Sequence, residues 1–295
     1  MGSSPSNSPS GEYRSVRDDV GPAPELLSPE GDLTPPPQPV RKPRRSWSYA
    51  PATYVLLGIN CLVFLAMTVR GVNPMNPTTE QLMRWGADNA GNVLIGGQWV
   101  RIVTAMFVHV GFLHLATNMW CLWNLGLLAE PLMGSVGVLA VYILTGAAGN
   151  LLSTLVNWLW PLRDSGGAVY FPAGAGASGA VFGIAGALIV LLGSHRLPVP
   201  PVELNKLRRS VIYFALINLA IGFSISAGTH YLGSGIQIDN MAHLGGCTCG
   251  LLFAWPMVPR PGSPREQFLF RRRAATIMVV GILVLFGFYL ATLAR

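Results

Sequence analysis

Seven stretches with almost no charged residues determine what this chain can fold into. They cover residues 49–69, 113–130, 136–158, 178–193, 210–227, 241–258 and 274–294. Most are long enough to cross a membrane as a helix of ~20 residues. A helix bonds its backbone polar groups internally, as a segment inside hydrocarbon must. The sequence therefore predicts an all-α fold, a polytopic membrane helix bundle with seven spans.

The composition excludes a soluble enzyme. Only 11% of the residues are charged, whereas a soluble globular chain has ~25%. On a soluble protein the net charge of +7 would indicate nucleic-acid binding, but on a membrane protein it reports which loops face the cytoplasm. We expect no nucleic-acid partner. The four cysteines lie in apolar stretches, which is untypical of a disulfide framework, and we expect neither a metal ion nor a cofactor.

The distribution of basic residues predicts the orientation of the chain. Fifteen of the 20 Lys and Arg residues lie in the segment 1–49 and in the loops 194–209 and 259–273. Lys and Arg collect on the cytoplasmic side of membranes. We therefore expect a cytoplasmic amino terminus, an external carboxy terminus and a location in the cell membrane, either inner or plasma.

Four segments are distinguished along the chain. Residues 1–49 contain ten prolines and nine serines and are predicted to be a disordered cytoplasmic tail, because such a composition cannot bury enough apolar surface. Residues 50–258 hold six spans and a long external loop, 70–112, which we expect to contain structure of its own. A basic cytoplasmic linker, 259–273, leads to the seventh transmembrane helix, 274–295.

Three groups of polar residues begin spans on the same predicted external side, and polar residues inside hydrocarbon mark functional sites. They lie within 109–118, 174–179 and 242–250. The fourth span, 178–193, has only 16 residues, and at ~1.5 Å per residue it is shorter than the ~30 Å hydrocarbon core. Its first residue, Ser178, is therefore predicted to lie below the membrane surface.

In order and content these groups resemble the motifs of the rhomboid family of intramembrane serine proteases. The matching residues are Trp99-Val-Arg101, the run His109-Val-Gly-Phe-Leu-His114-Leu-Ala-Thr-Asn118, Gly176-Ala-Ser178-Gly179, and Ala242-His243 followed by Gly246 and Gly250. The resemblance covers residues 50–258 and implies a six-helix core, to which the seventh helix is an addition. It also implies hydrolysis of membrane-protein substrates within the lipid bilayer.

Ser178 and His243 are the predicted catalytic residues. A serine hydroxyl becomes a good nucleophile only beside a base, and an imidazole exchanges protons near neutral pH. No carboxylate lies in the sixth span and Asp239 is expected in the preceding loop, so the residues favour a Ser–His dyad over a triad. The structural alternatives are helix packing for the serine and an interhelical hydrogen bond for the histidine.

His114 and Asn118 are the predicted side-chain donors of an oxyanion hole. They are four residues apart and so share one face of the second span. Both can donate hydrogen bonds to an oxyanion, and the backbone N–H of Ser178, at a helix N-terminus, is a third donor. The resemblance implies this role, and a polar contact between helices is the alternative.

Helix packing is expected to bring the two predicted catalytic residues together. Gly246 and Gly250 form a stripe of small residues that can approach Gly179 and the glycines after it. Phe182 lies one helical turn after Ser178, where it can stack on the predicted base. The family often has tyrosine at this position, and the lost hydroxyl leaves the aromatic face intact.

Four further residues are assigned supporting roles. Gly176 permits irregular backbone before the serine. His109 is expected to make structural hydrogen bonds between loop and helix. The resemblance assigns Arg101 and Glu130 to bracing the external loop and the lower end of the second span.

Two other functions compete with proteolysis. A non-catalytic rhomboid-like protein that binds or traffics transmembrane helices would lack the serine or the histidine, and this chain has both. A transporter or channel would show inverted repeats with broken helices, and no such symmetry is visible in the sequence. We therefore expect an endopeptidase that cleaves substrates with helix-weakening residues in their transmembrane segments.

Overall fold

The computed structural model describes residues 49–163, 166–194, 200–232, 239–258 and 264–294, and for 223–232 it describes the backbone alone. The predicted tail lies outside these ranges up to residue 48. The α-helices described are α1 (Pro51–Val69), α2 (Thr79–Arg84), α3 (Arg101–Thr104), α4 (Phe112–Leu159), α5 (Ser178–Leu191), α6 (Pro201–Leu232), α7 (Asn240–Ala254) and α8 (Arg265–Leu293). One small antiparallel hairpin pairs β1 (Leu162–Arg163) with β2 (Val169–Tyr170).

The predicted all-α membrane bundle is confirmed, and each predicted span coincides with a helix. The second and third spans are the two halves of α4, which contains Pro131 and is kinked at Gly134, where φ is 73° and ψ is 163°. Glycine adopts such a positive φ readily. Among the described residues, α1, α4 and α8 are long and apolar enough to cross a membrane.

The helices that carry the two predicted catalytic residues are short. α5 has 14 residues and α7 has 15, so at ~1.5 Å per residue each is shorter than the ~30 Å hydrocarbon core. Most residues of α5 are buried, because it packs between α4 and α7. A helix that is apolar all round is expected at such a central position.

The long loop between α1 and α4, which is predicted to be external and is called the external loop below, contains structure of its own, as expected. After α2 it forms a π-helix, Gly91–Ile95, then α3 and a 3₁₀ helix, Ala105–Phe107. Arg101 braces this loop: its Nη1 donates to the carbonyl oxygens of Met83 and Ala87, each at 2.8 Å.

Glu130, near the end of the first half of α4, holds the beginning of α1. Its carboxylate accepts hydrogen bonds from the backbone N–H groups of Ala52 and Thr53, both at 2.9 Å, and from Thr53 Oγ1 at 2.7 Å. The first N–H groups of a helix have no intrahelical acceptor. This one side chain therefore replaces a local cap and joins two helices.

Two arginines bond to backbone carbonyl groups, one in the last turn of α5 and one at the kink of α4. Arg208 Nε donates to the Ile189 carbonyl in the last turn of α5 at 3.0 Å, and Arg272 Nη1 donates to Met133, just before the kink of α4, at 3.3 Å. Positive charge at a helix C-terminus is favourable. α8 begins at Arg265, nine residues before the predicted seventh span, so the predicted linker 259–273 is helical from that residue onward.

Candidate functional site

Ser178 is the first residue of α5, and the chain reaches it through an irregular segment. Gly176 in this segment has φ +131°, and a Cβ added there would lie 2.6 Å from Cε1 of His114. Only glycine fits both that backbone conformation and that space. The Ser178 side chain is half-buried, and its N–H, at the first position of a helix, has no intrahelical acceptor.

His243 lies in the first turn of α7 and is buried. Its ring stacks on that of Phe182, with the centroids 4.3 Å apart and an interplanar angle of 8°. Phe182 follows Ser178 by four residues, so the two share one face of α5. The stacking therefore places the imidazole along the face of α5 on which Ser178 lies. Among the described residues, Nδ1 of His243 has no hydrogen-bond partner.

Glycines hold α5 and α7 in backbone contact. A Cβ added to Gly246 would collide with the carbonyl oxygen of Gly179, and one added to Gly250 would collide with that of Gly183. Each collision is with main-chain atoms, which cannot rotate away. The predicted close approach of the two helices is confirmed, and it occurs immediately beside Ser178.

His114 and Asn118 lie on the first turns of α4, next to the segment that leads to Ser178. His114 Nδ1 accepts a hydrogen bond from the backbone N–H of Val110 at 3.4 Å, and its imidazole faces Gly176. Asn118 is buried, and its Nδ2 donates to the His114 carbonyl at 2.9 Å. An amide nitrogen has a second hydrogen, so Asn118 retains a donor for a ligand.

His109 joins the external loop to the serine segment. Its Nε2 accepts from the backbone N–H of Ala177 at 3.4 Å, and its Nδ1 lies 3.3 Å from the Phe107 carbonyl. Burial, with a smaller contribution from the nearby His114, lowers the pKa of His109 to about 3. The neutral ring then donates from Nδ1 and accepts at Nε2, which is a structural arrangement.

Asp239 caps α7 and does not complete a triad. Its Oδ1 accepts from the Ala242 N–H at 2.9 Å, and its Oδ2 accepts from Ser153 Oγ at 2.5 Å. Both carboxylate oxygens therefore bond to groups other than the His243 ring. Among the described residues there is also no group of three His, Cys, Asp or Glu side chains that could hold a metal ion.

One residue near the site, Asp88, has no signal in the sequence. Asp88, in the external loop, is buried and accepts a hydrogen bond from Thr154 Oγ1 at 3.0 Å. Its backbone N–H and carbonyl pair with Gly174, four residues before Ser178. In the sequence, a single aspartate in a loop looks like an ordinary solvated residue, because the segment with which it pairs lies far away along the chain.

Comparison with known proteins gives the same family as the motifs. A family model described as the Rhomboid domain matches residues 96–260. The chain is 28% identical over 237 residues to Rhomboid protease GluP of Bacillus subtilis (strain 168), which covers 80% of this chain and 40% of GluP. It is 30% identical over 199 residues to RHOMBOID-like protein 6, mitochondrial, of Arabidopsis thaliana, covering 66% of this chain and 56% of that protein. It is 28% identical over 258 residues to Rhomboid protease AarA of Providencia stuartii, covering 84% of this chain and 86% of AarA. The chain thus spans only about half the length of GluP and of the plant protein.

Proposed function

Because the chain belongs to the rhomboid family, a family of multi-pass membrane proteins, we propose that it is an intramembrane serine endopeptidase. It hydrolyses peptide bonds in or near the transmembrane helices of membrane-protein substrates. The observation that carries the proposal is the stacking of His243 on Phe182, one helical turn from Ser178. A nucleophile and a base on facing helices are the minimum machinery of acyl transfer.

The reaction begins when His243 accepts the proton of Ser178 and the serine Oγ attacks the scissile carbonyl. The imidazolium then protonates the leaving amine, which leaves an acyl-enzyme. A water molecule, deprotonated by the same histidine, hydrolyses the ester and restores the serine. With Asp239 committed to capping α7, the imidazole is oriented by its contact with Phe182 instead of by a carboxylate.

The oxyanion of each tetrahedral intermediate is stabilised by donors on two elements. The N–H of Ser178 points from the N-terminus of α5, where the helix dipole favours negative charge. Asn118 and His114 supply side-chain donors from α4. Fixed donors of this kind contribute ~3 kcal/mol each in other acyl transferases.

The substrate must expose a carbonyl that a transmembrane helix normally hides in a hydrogen bond. Helix-weakening residues lower the cost of that local unwinding. The irregular segment before Ser178 and the short α5 support a site near one end of the bundle. With the amino terminus cytoplasmic, this end is external, and the arginines that bond to the kink of α4 and to the last turn of α5 lie on the cytoplasmic side. The proposed location is the cell membrane.

The test is labelling and cleavage by the purified full chain in lipid vesicles. A fluorophosphonate probe should label the wild type, and a single-span reporter should be cut. Ser178→Ala and His243→Ala should abolish both signals. Ser210→Ala is the matched control, because Ser210 is exposed on α6 and, within the described ranges, its Oγ bonds only to the Lys206 carbonyl. Undiminished cleavage by Ser178→Ala would refute the proposal.

A further inference from the structure

Two carboxyl groups meet behind the candidate site. Asp88, in the external loop, is only 2% exposed, and Asp239, before α7, is half-buried. A Cβ added to Gly174 would lie 3.3 Å from Asp239 Oδ2 and 4.0 Å from Asp88 Oδ2. Both carboxyl groups therefore converge on one glycine. Within the described ranges, neither of them forms an ion pair with Lys or Arg.

Both carboxyl groups are tied to the same turn of α4. Thr154 Oγ1 donates to Asp88 Oδ2 at 3.0 Å, and Ser153 Oγ donates to Asp239 Oδ2 at 2.5 Å. The two hydroxyl groups belong to consecutive, buried residues. Because α4 is a long helix packed on α5 and α7, this turn gives both acids a common rigid support.

Each acid also belongs to the segment that delivers one catalytic group. The backbone of Asp88 exchanges two hydrogen bonds with Gly174, at 2.7 and 2.8 Å, four residues before Ser178. The carbonyl of Asp239 accepts from the N–H of His243 at 3.2 Å. The cluster therefore connects the approach to the nucleophile with the first turn of the helix that carries the base.

Burial raises the pKa of both acids, but their hydrogen bonds differ. Asp239 accepts two hydrogen bonds, from Ala242 N–H and Ser153 Oγ, which stabilise the carboxylate and oppose the effect of burial. Asp88 Oδ1 is buried without a hydrogen-bond partner in the described part of the chain. Burial, with a smaller contribution from the neighbouring Asp239, raises the pKa of Asp88 to about 7. Arg101 is the opposing charge facing Asp88, and its guanidinium is engaged by loop carbonyls.

We infer that Asp88 stays protonated beside Asp239 and that this acid pair fixes the relative position of the segments carrying Ser178 and His243. Asp239 is a positioning residue, and Asp88 supports it from the external loop. The effect on catalysis rests on the proposed function, whereas the effect on stability does not. Ionisation of Asp88 would put two negative charges in a buried space, which loosens the cluster.

The sign of the pH dependence follows from the proton that Asp88 holds. An aspartic acid ordinarily loses its proton near 3.8, and in the folded chain Asp88 keeps it up to about 7. The stabilisation due to this proton is complete below the lower value and is lost as the pH rises through the upper one. Catalysis, in turn, should weaken above pH 7, where the neutral form of Asp88 is depleted.

Thermal unfolding tests the acid pair whether or not the chain cleaves a substrate. The Tm of the purified full chain should fall as the pH is raised from about 5 to about 8.5. Asp88→Asn carries a neutral side chain of the same shape, so over this pH range its Tm should fall by less than half as much as the Tm of the wild type. Glu80→Gln changes an exposed carboxylate in the same loop and should follow the wild type. Equal pH slopes for wild type and Asp88→Asn would overturn the inference.

Cleavage kinetics test the positioning role. Between about pH 7 and about pH 9 the wild-type kcat should fall about fivefold, and the normalised profile of Asp88→Asn should be flat. Asp239→Ala should lower kcat about tenfold with KM unchanged, and Asp239→Asn, which keeps an acceptor for the cap, should restore most of it. An Asp88→Asn profile with the wild-type alkaline limb would overturn the inference. A wild type without Ser178-dependent cleavage would overturn the proposed function instead, and the unfolding result would still decide about the acid pair.

Discussion

Adding one methyl group at Gly246 should disable the site while leaving the bundle folded. In Gly246→Ala the new Cβ collides with the carbonyl oxygen of Gly179 and lies 2.8 Å from its carbonyl carbon. Carbon atoms pack at ~3.5–4.0 Å. Because both atoms belong to the backbone of α5, no rotamer change relieves the overlap, and α7 must move away by about 1 Å.

The displacement of α7 should affect the stability of the chain and its rate of catalysis by different amounts. Overpacking a helix interface costs about 1–3 kcal/mol of unfolding free energy, so the variant should be less stable but folded. A misplacement of about 1 Å between reacting groups lowers the rate about 100-fold. Since each tenfold change is ~1.36 kcal/mol, this corresponds to ~2.7 kcal/mol of lost transition-state stabilisation.

The assay pairs thermal unfolding with cleavage of a single-span reporter in vesicles. Gly58→Ala is the matched control: Gly58 lies in α1, and a Cβ there meets nothing within 4 Å. It should keep full activity and, since alanine favours a helix by ~1 kcal/mol over glycine, lose no stability. If Gly246→Ala cleaved the reporter at the wild-type rate, the contact between α5 and α7 would not be what positions the base.

Two further substitutions separate stability from catalysis. Glu130→Gln leaves one acceptor oxygen for the three hydrogen bonds from Ala52 and Thr53, so the free energy of unfolding should fall by about 1–3 kcal/mol. Denaturant unfolding measures this change. A decrease no larger than that caused by the exposed Glu203→Gln would contradict the capping role. Asn118→Ala removes an oxyanion donor and should lower kcat about 10- to 100-fold with KM nearly unchanged. Steady-state kinetics measure both constants. A rise in KM of the same size, without loss of kcat, would instead assign Asn118 to substrate binding.

The helical fold was predictable because hydrocarbon leaves few choices. A segment of ~20 apolar residues must satisfy its backbone internally, so the seven predicted spans follow from the absence of charge alone. The stacking of Phe182 on His243 was also predictable, since it needs only the helical period after Ser178 and one partner helix. The glycine contacts follow from the spacing of Gly246 and Gly250.

The remaining features depend on contacts between segments that are distant in the sequence. Asp88 and Asp239 are separated by more than half the chain, and neither has a periodic pattern that predicts a neighbour. Similarly, Arg272 is a topology signal in the sequence, and only the fold shows that it bonds to the Met133 carbonyl at the kink of α4. Charge-based interpretation gives the side of the membrane on which a residue lies, but not its partner.

The candidate site is held by two mechanisms that respond differently to perturbation. Apolar side chains gain little by leaving lipid for a helix interface, so association in a membrane depends on close packing and hydrogen bonds. On one side of the Ser178–His243 pair, glycine contacts fix the distance between α5 and α7, and that distance is independent of pH. On the other side, the acid pair formed by Asp88 and Asp239 joins the loop segments, and its stability depends on the proton that Asp88 holds. A change of steric bulk should therefore act on the first mechanism at every pH, whereas a change of charge should act on the second only where the proton is exchanged.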